Sequence, residues 1–109
     1  MEAATREAKM ATKKYGGEYK IVRTCSAGVF AGKLIERTGG ECVMEDARRL
    51  WYWDGAASLS QLAITGPTRP QNCKFPEAVA KVELLGVIEI LDVTPEAEDV
   101  IKGVAPWSA

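Results

Sequence analysis

Histidine does not occur in the 109 residues of this chain. Its absence removes the most common general base of enzymes and every Ser-His or Cys-His nucleophile pair. The three cysteines, Cys25, Cys42 and Cys73, do not stand at the spacing of metal ligands, so we expect no metal site and no cofactor. An odd number of cysteines without a secretion signal indicates free thiols in a reducing compartment.

No signal-peptide h-region is visible in the sequence, and no apolar run approaches the roughly 20 residues of a membrane span. It contains no glycine-rich phosphate motif of the GxxxxGK[ST] or GxGxxG type. The formal net charge of −1 argues against a broad basic surface for nucleic acid. We therefore expect a cytoplasmic protein with no membrane partner. We also expect no enzymatic activity; an enzyme that uses a carboxylate or Cys25 is the alternative.

The length of the chain suits one domain with a modest core. Residues 1–17 are polar and rich in Ala, Lys and Glu, which predicts a flexible N-terminal arm before a single β-rich domain over residues 18–109. Short β-branched runs separated by glycines predict strands at 19–25, 29–36, 81–85 and 87–93. The pattern is typical of a small antiparallel sheet, or an SH3-like or Sm-like barrel, of about five to seven strands.

A short C-terminal helix is predicted over residues 94–103. Thr94 can cap the first turn, Pro95 suits the first helical position, and Glu96 complements the positive end of the helix dipole. Lys102 and Gly103 then end the helix.

The central segment, residues 47–63, reads ARRLWYWDGAASLSQLA and holds two of the three tryptophans and two adjacent arginines. Asp54-Gly55 between two β-prone runs is a strong hairpin signal, because a type I′ turn needs positive φ at both central residues. We therefore predict a hairpin with strands at 41–53 and 56–65.

A two-residue turn fixes which side chains share a face, because side chains alternate along a strand. One face then carries large side chains opposite small ones: Arg49, Trp51 and Trp53 lie across from Ser60, Ser58 and Ala56. The other face, with Leu50, Tyr52 and Leu59, reads as core and ends in Arg48. A longer turn would exchange Arg48 and Arg49, so the candidate ligand-binding residues are Arg48, Arg49, Trp51, Trp53, Ser58 and Ser60.

The face with the two tryptophans has three interpretations. A planar ring can stack on Trp51 or Trp53 for roughly 1–3 kcal/mol, while an arginine holds a phosphate and the serines add hydrogen bonds. The same face can be an interface between subunits, or simply the core of one chain. A ligand shelf between subunits would combine the first two interpretations.

Three segments carry a resemblance: residues 22–32 (VRTCSAGVFAG), the segment from Ala47 to Leu59, and residues 87–90 (VIEI). They resemble a family of small bacteriophage and prophage proteins of unknown function, over roughly residues 19–107. The resemblance implies a phage-encoded accessory role in the cytoplasm of the infected bacterium. It implies no catalytic residues.

These observations lead to one favoured hypothesis and one alternative. The favoured hypothesis is a non-enzymatic, homo-oligomeric phage protein that binds and blocks or sequesters a host component, such as a nucleotide-derived signal in antiviral defence. The alternative is a structural or assembly protein that acts through contacts between its own subunits.

Overall fold

The computed structural model of the protein describes residues 11–108. Its five strands are β1 Lys13–Thr24, β2 Val29–Thr38, β3 Glu41–Arg49, β4 Val79–Leu85 and β5 Val87–Asp92. Its α-helices are α1 Leu59–Thr65 and α2 Pro95–Gly103, and a short 3-10 helix spans Pro70–Asn72. The predicted fold, mainly β with a short C-terminal helix, is confirmed. The predicted helix start is confirmed too, since Thr94 Oγ1 accepts a hydrogen bond of 3.0 Å from Ala97 N–H.

The five strands form one open antiparallel sheet in the order β4-β3-β2-β1-β5. β4 and β5 are its two edges, yet only Gly86 separates them in the chain. Because one residue spans only a few ångströms, the end of β4 and the start of β5 must meet, and the sheet curls to allow it. Backbone hydrogen bonds of 2.9 Å close this corner, from Cys25 N–H to Gly86 O and from Val87 N–H to Gly40 O.

The sheet is covered on both faces. Ile21 and Val22, which are neighbours in β1 and point to opposite sides, are both fully buried. The inner face of the curled sheet packs one core, made of Val22, Phe30, Leu34, Cys42, Met44, Ala47 and Leu84. The outer face packs against the two helices and the loops in a second core, made of Tyr19, Ile21, Ala31, Leu50, Leu62, Ala63, Cys73, Phe75, Ile101 and Val104.

The hairpin of β2 and β3 turns at Gly39-Gly40 and contains two irregularities. The first lies at Gly32, which approaches Ala47 so closely that a Cβ on it would lie 2.6 Å from Ala47 Cα. The second lies between Leu34 and Glu36. The two shifts cancel, so the far end of the hairpin has the register that a count from the turn predicts. Phe30 therefore faces Arg49.

The predicted hairpin of residues 41–53 and 56–65 is wrong. β3 ends at Arg49, Asp54-Gly55 lies in an irregular loop, and residues 59–65 form α1. Ser58 caps α1, since its side chain accepts from Gln61 N–H at 3.3 Å. Leu62 and Ala63 lie three and four residues after Leu59, so all three side chains fall on one side of this helix and pack in or against the outer core.

The predicted N-terminal arm covers residues 1–17, of which residues 1–10 lie outside the described residues. Lys13 and Lys14 belong to β1, where they pair with Arg37 and Glu36. Within residues 11–108, no helix combines the length and the apolar character needed to cross a bilayer.

Candidate functional site

The two adjacent arginines of the central segment have opposite environments. The Arg48 side chain is buried, and its guanidinium donates to four backbone carbonyls: Phe75 O at 2.6 Å, Val104 O at 2.8 Å, Ile101 O at 3.0 Å and Pro76 O at 3.1 Å. Two of these carbonyls, Ile101 O and Val104 O, lie at the C-terminal end of α2, where carbonyls lose their regular helical partners, although Ile101 O also accepts from Val104 N–H at 3.3 Å. Arg48 therefore ties β3 to α2 and to the segment before β4, and its donors are already committed.

Burial shifts the pKa of both Arg48 and its neighbour Tyr19. Burial lowers the pKa of Arg48, an effect that Tyr19 opposes. Burial raises the pKa of Tyr19 to about 12, although Arg48 acts in the other direction. No carboxylate of residues 11–108 forms an ion pair with Arg48.

Arg49, in contrast, is exposed. Its guanidinium carbon lies 4.6 Å from the centre of the Phe30 ring, the cross-strand partner on β2. Within the described part of the chain it makes neither an ion pair nor a side-chain hydrogen bond, so its donors remain available. A cation held flat over an aromatic ring keeps its outer edge free for an anionic partner.

A surface pocket of about 580 Å³ brings Arg49 together with two of the other predicted residues. We call it the bend pocket, because Ser26, Ala27 and Gly28, which belong to the bend between β1 and β2, form one of its walls. Its lining consists of Ser26, Ala27, Gly28, Val29, Arg49, Leu50, Trp51 and Trp53. The volume lies within the range of about 300–1,000 Å³ that is common for small-molecule sites.

The register of the β2–β3 hairpin explains why these segments meet. The bend precedes β2 directly, and Arg49 is the last residue of the antiparallel β3, so the two chain segments end side by side. Leu50 N–H donates to Val29 O at 2.8 Å and continues the ladder by one step. Arg49 Nε lies 3.9 Å from the position that a Cβ on Gly28 would occupy. The guanidinium therefore covers the bend.

The aromatic residues of the central segment differ in exposure. Trp51 is 65% exposed, which excludes the interpretation that it belongs to the core of this chain. Trp53 is half-buried and packs against the outer core. Tyr52, predicted on the core face, is 50% exposed because the segment pairs with Lys74 instead of forming the predicted hairpin. The pocket thus has one exposed indole ring, that of Trp51, and one partly buried indole ring, that of Trp53.

The loop after Trp53 is held by charged hydrogen bonds. Asp54 accepts from Asn72 Nδ2 and from Arg69 NH1, each at 2.9 Å. These hydrogen bonds, from Asn72 first and Arg69 second, lower the pKa of Asp54. The carboxylate thus stays ionised at neutral pH and fixes the loop that carries Trp53.

Ser58 and Ser60 lie away from the bend pocket. Ser58 is the N-cap of α1, and Ser60 is an exposed residue within that helix. The pairing of these serines with the tryptophans required the hairpin that does not form. Of the six predicted residues, the structure therefore brings together Arg49, Trp51 and Trp53, and separates Arg48, Ser58 and Ser60 from them.

Two residues of the bend that line the pocket have backbone N–H groups without a hydrogen bond within the described chain. Ala27 N–H is satisfied by Thr24 Oγ1 at 2.9 Å, whereas the N–H groups of Ser26 and Gly28 make no hydrogen bond within residues 11–108. No acidic residue lines the pocket among the described residues. Free amides, a free guanidinium and an exposed indole suit a ligand that has both a negative charge and a flat ring.

Sequence reasoning identified the Trp and Arg residues but not the bend as part of the site. The sequence does contain a signal that the bend belongs to the site, because a count back from the Gly39-Gly40 turn places Gly28 beside Trp51. The incorrect hairpin prediction placed Ser58 and Ser60 beside the Trp and Arg residues instead.

Two other cavities have different chemistry. One of about 450 Å³ is lined by Glu36, Glu41 and Glu83 among others, and its charge disfavours anions. One of about 310 Å³ lies beside Arg48 and Tyr19. Among the described residues, no group of three or more Cys, Asp or Glu side chains is arranged to hold a metal ion.

Comparison with known proteins gave one match. A family model described as a domain of unknown function (DUF6948) matches residues 17–101. No match was found among curated proteins or among solved structures.

Proposed function

The chain belongs to the DUF6948 family, and we propose that it is a non-enzymatic binding protein that captures a small anionic ligand with a planar ring in the bend pocket. The observation that carries the proposal is the meeting of Arg49, Trp51 and the 26–28 bend around one pocket without acidic lining in the described chain. A nucleotide has the matching chemistry, since its base can stack on an indole and its phosphate can pair with a guanidinium.

The resemblance to phage and prophage proteins extends this proposal to a biological role. A phage accessory protein that acts in the cytoplasm of the infected bacterium can sequester a nucleotide-derived signal of the host. Such a role needs tight binding and no turnover. It agrees with the lack of histidine and of a glycine-rich phosphate motif in the sequence.

Calorimetric titration with AMP and with a cyclic dinucleotide tests the binding proposal. Adenosine and inorganic phosphate serve as half-ligands that lack the charge or the ring. We expect the nucleotides to bind more tightly than either half, because stacking on Trp51 and pairing with Arg49 act together. Absence of heat with every nucleotide up to millimolar concentration would refute nucleotide capture.

Matched variants locate the binding site. We expect Trp51→Ala to weaken nucleotide binding by roughly 5- to 150-fold, which corresponds to about 1–3 kcal/mol of stacking. Arg49→Gln should weaken binding of the nucleotides but not of adenosine. Trp107→Ala and Lys33→Gln remove an exposed indole and an exposed cation outside the pocket and should leave affinity unchanged. Equal losses in the control variants would argue against the bend pocket.

The second candidate is assembly through protein contacts, and it is favoured by three exposed aromatic side chains: Trp51, Tyr52 and Trp107 are 65%, 50% and 37% exposed. Native mass spectrometry of gently purified protein separates the two candidates. Retained mass of nucleotide size supports capture. A ligand-free oligomer that Trp51→Ala dissociates supports assembly.

A further inference from the structure

β4 is an edge strand whose protection consists of two charged side chains, Lys81 and Glu83. Its outer side has no neighbour within the described chain, it contains no proline, and it spans seven residues from Val79 to Leu85. Val79 and Leu85 are 47% and 64% exposed, at its two ends. An exposed edge with large apolar side chains is a template for pairing with another strand.

The sequence of β4, VAKVELL, is complementary to itself when it is read in the antiparallel direction. In the register centred on Val82, Val79 of one copy faces Leu85 of the other, and Lys81 faces Glu83. All four residues alternate onto the same face of the strand, so the two apolar pairs flank the two charge pairs. Opposite charges and apolar residues directly across from each other stabilise a strand pair.

The residues next to β4 support the same register. On β3, Glu45 lies directly opposite Lys81, and Val43 lies opposite Glu83. Each Lys81 would therefore stand between its own Glu45 and the Glu83 of the second copy. Neither Lys81 nor Glu83 forms an ion pair within residues 11–108, so both charges are available for this contact.

The other edge strand does not have this property. Any antiparallel pairing of β5 with itself sets Glu89 against an apolar side chain or against another carboxylate, because the strand VIEILD contains no cation. Glu89 and Asp92 are also already engaged, with Arg23 at 2.8 Å and Lys20 at 2.6 Å. The complementarity is thus specific to β4.

We propose that two copies of this chain associate through antiparallel pairing of their β4 strands about a two-fold axis at Val82, which joins two five-stranded sheets into one of ten strands. The interface is isologous, the type found in most homodimers. It lies outside the bend pocket, none of whose lining residues belongs to β4, so the association does not depend on ligand capture.

Charge reversal tests the register. Sedimentation of the full chain over micromolar to millimolar concentrations should show a dimer. In a dimer of Lys81→Glu, the introduced glutamate of each copy faces the native Glu83 of the other copy, so both charge pairs become repulsive. In a dimer of Glu83→Lys, both pairs become repulsive in the same way between two positive charges. Each variant alone should weaken the dimer by at least about tenfold. Asp99→Lys, a charge reversal of the same size on an exposed position of α2, should leave association unchanged.

Mixing the two self-repelling variants gives the decisive result. In a one-to-one mixture, the glutamate introduced at position 81 of one chain faces the lysine introduced at position 83 of the other. The native Glu83 of the first chain faces the native Lys81 of the second, so every charge pair is attractive again and we expect a mixed dimer.

Three results would overturn the proposal: a wild-type protein that stays monomeric over the whole concentration range, an oligomer that neither charge reversal affects, or a mixture of the two variants that remains monomeric. Circular dichroism of each variant establishes that the fold is retained.

Discussion

Arg48 and Arg49 show how one step along a strand changes the role of a residue type. Side chains alternate across the sheet, so Arg48 enters the space between β3, α2 and the segment around Phe75, while Arg49 faces the solvent above Phe30. The buried guanidinium satisfies four carbonyls that lie outside the strand ladder. We therefore regard Arg48 as a structural residue and Arg49 as the proposed binding residue.

Replacing each arginine by methionine separates these roles. Arg48→Met leaves four carbonyl groups without their charged donor, so we expect a loss of about 3 kcal/mol or more in the free energy of unfolding. Arg49→Met removes only a cation over an aromatic ring at the surface and should cost about 1 kcal/mol or less. Urea unfolding measures both, and equal losses would contradict the division of roles.

At the scale of elements, the segment after β3 is where local pattern and tertiary structure disagree. Ser58, Leu59, Leu62 and Ala63 fit either an alternating strand or a short helix. The helix forms because it buries Leu62 and Ala63 against the outer core, and because Gly66 allows α1 to end close to Val100 of α2. A Cβ on Gly66 would lie 2.8 Å from Val100 Cβ.

Two serines on α1 test this assignment. We expect Ser58→Ala to lower the free energy of unfolding by about 1 kcal/mol, because it removes the cap that accepts from Gln61 N–H. Ser60→Ala lies inside the same helix on the exposed side and should change stability by less than about 0.5 kcal/mol. Thermal unfolding of the two variants tests the assignment of α1. In the predicted hairpin the two serines would have equivalent positions, so the two substitutions would have similar effects on stability.

At the scale of the whole molecule, Gly86 determines how the two edges of the open, curled sheet meet at one corner. It joins the two edge strands, has a φ of 72°, and accepts the backbone hydrogen bond of Cys25. A Cβ at this position would lie 2.7 Å from Cys25 Sγ. The positive φ therefore favours glycine here, and any larger residue would also have to displace the Cys25 side chain.

We expect Gly86→Ala to destabilise the protein by roughly 1–3 kcal/mol, from backbone strain and from the contact with Cys25. Cys25 is exposed, so Cys25→Ala alone should be nearly neutral. Thermal unfolding of the double variant should show recovery of the steric part but not of the part due to positive φ. A double variant no more stable than Gly86→Ala alone would show that strain accounts for the whole effect.

Much of the sheet could be predicted from the sequence. β-branched runs between glycines predicted β2, β4, β5 and the part of β1 from Tyr19 onward, whereas residues 13–17 of β1 lie in the predicted arm. Thr94-Pro95 predicted the start of α2, because these signals act through neighbouring residues. The register that brings Phe30 opposite Arg49 equals the one counted from the Gly39-Gly40 turn, because the two irregularities of the hairpin cancel.

Only the tertiary structure decided the end of β3, the formation of α1 and the membership of the bend pocket. Asp54-Gly55 suits a tight turn locally, but pairing of Tyr52 with Lys74 and packing of Leu62 against the outer core outweigh that preference. These contacts join residues far apart in the chain, and a hairpin signal contains no information about them. The sequence by itself determined which side chains were available for binding, and the packing of distant segments decided which of them share a pocket.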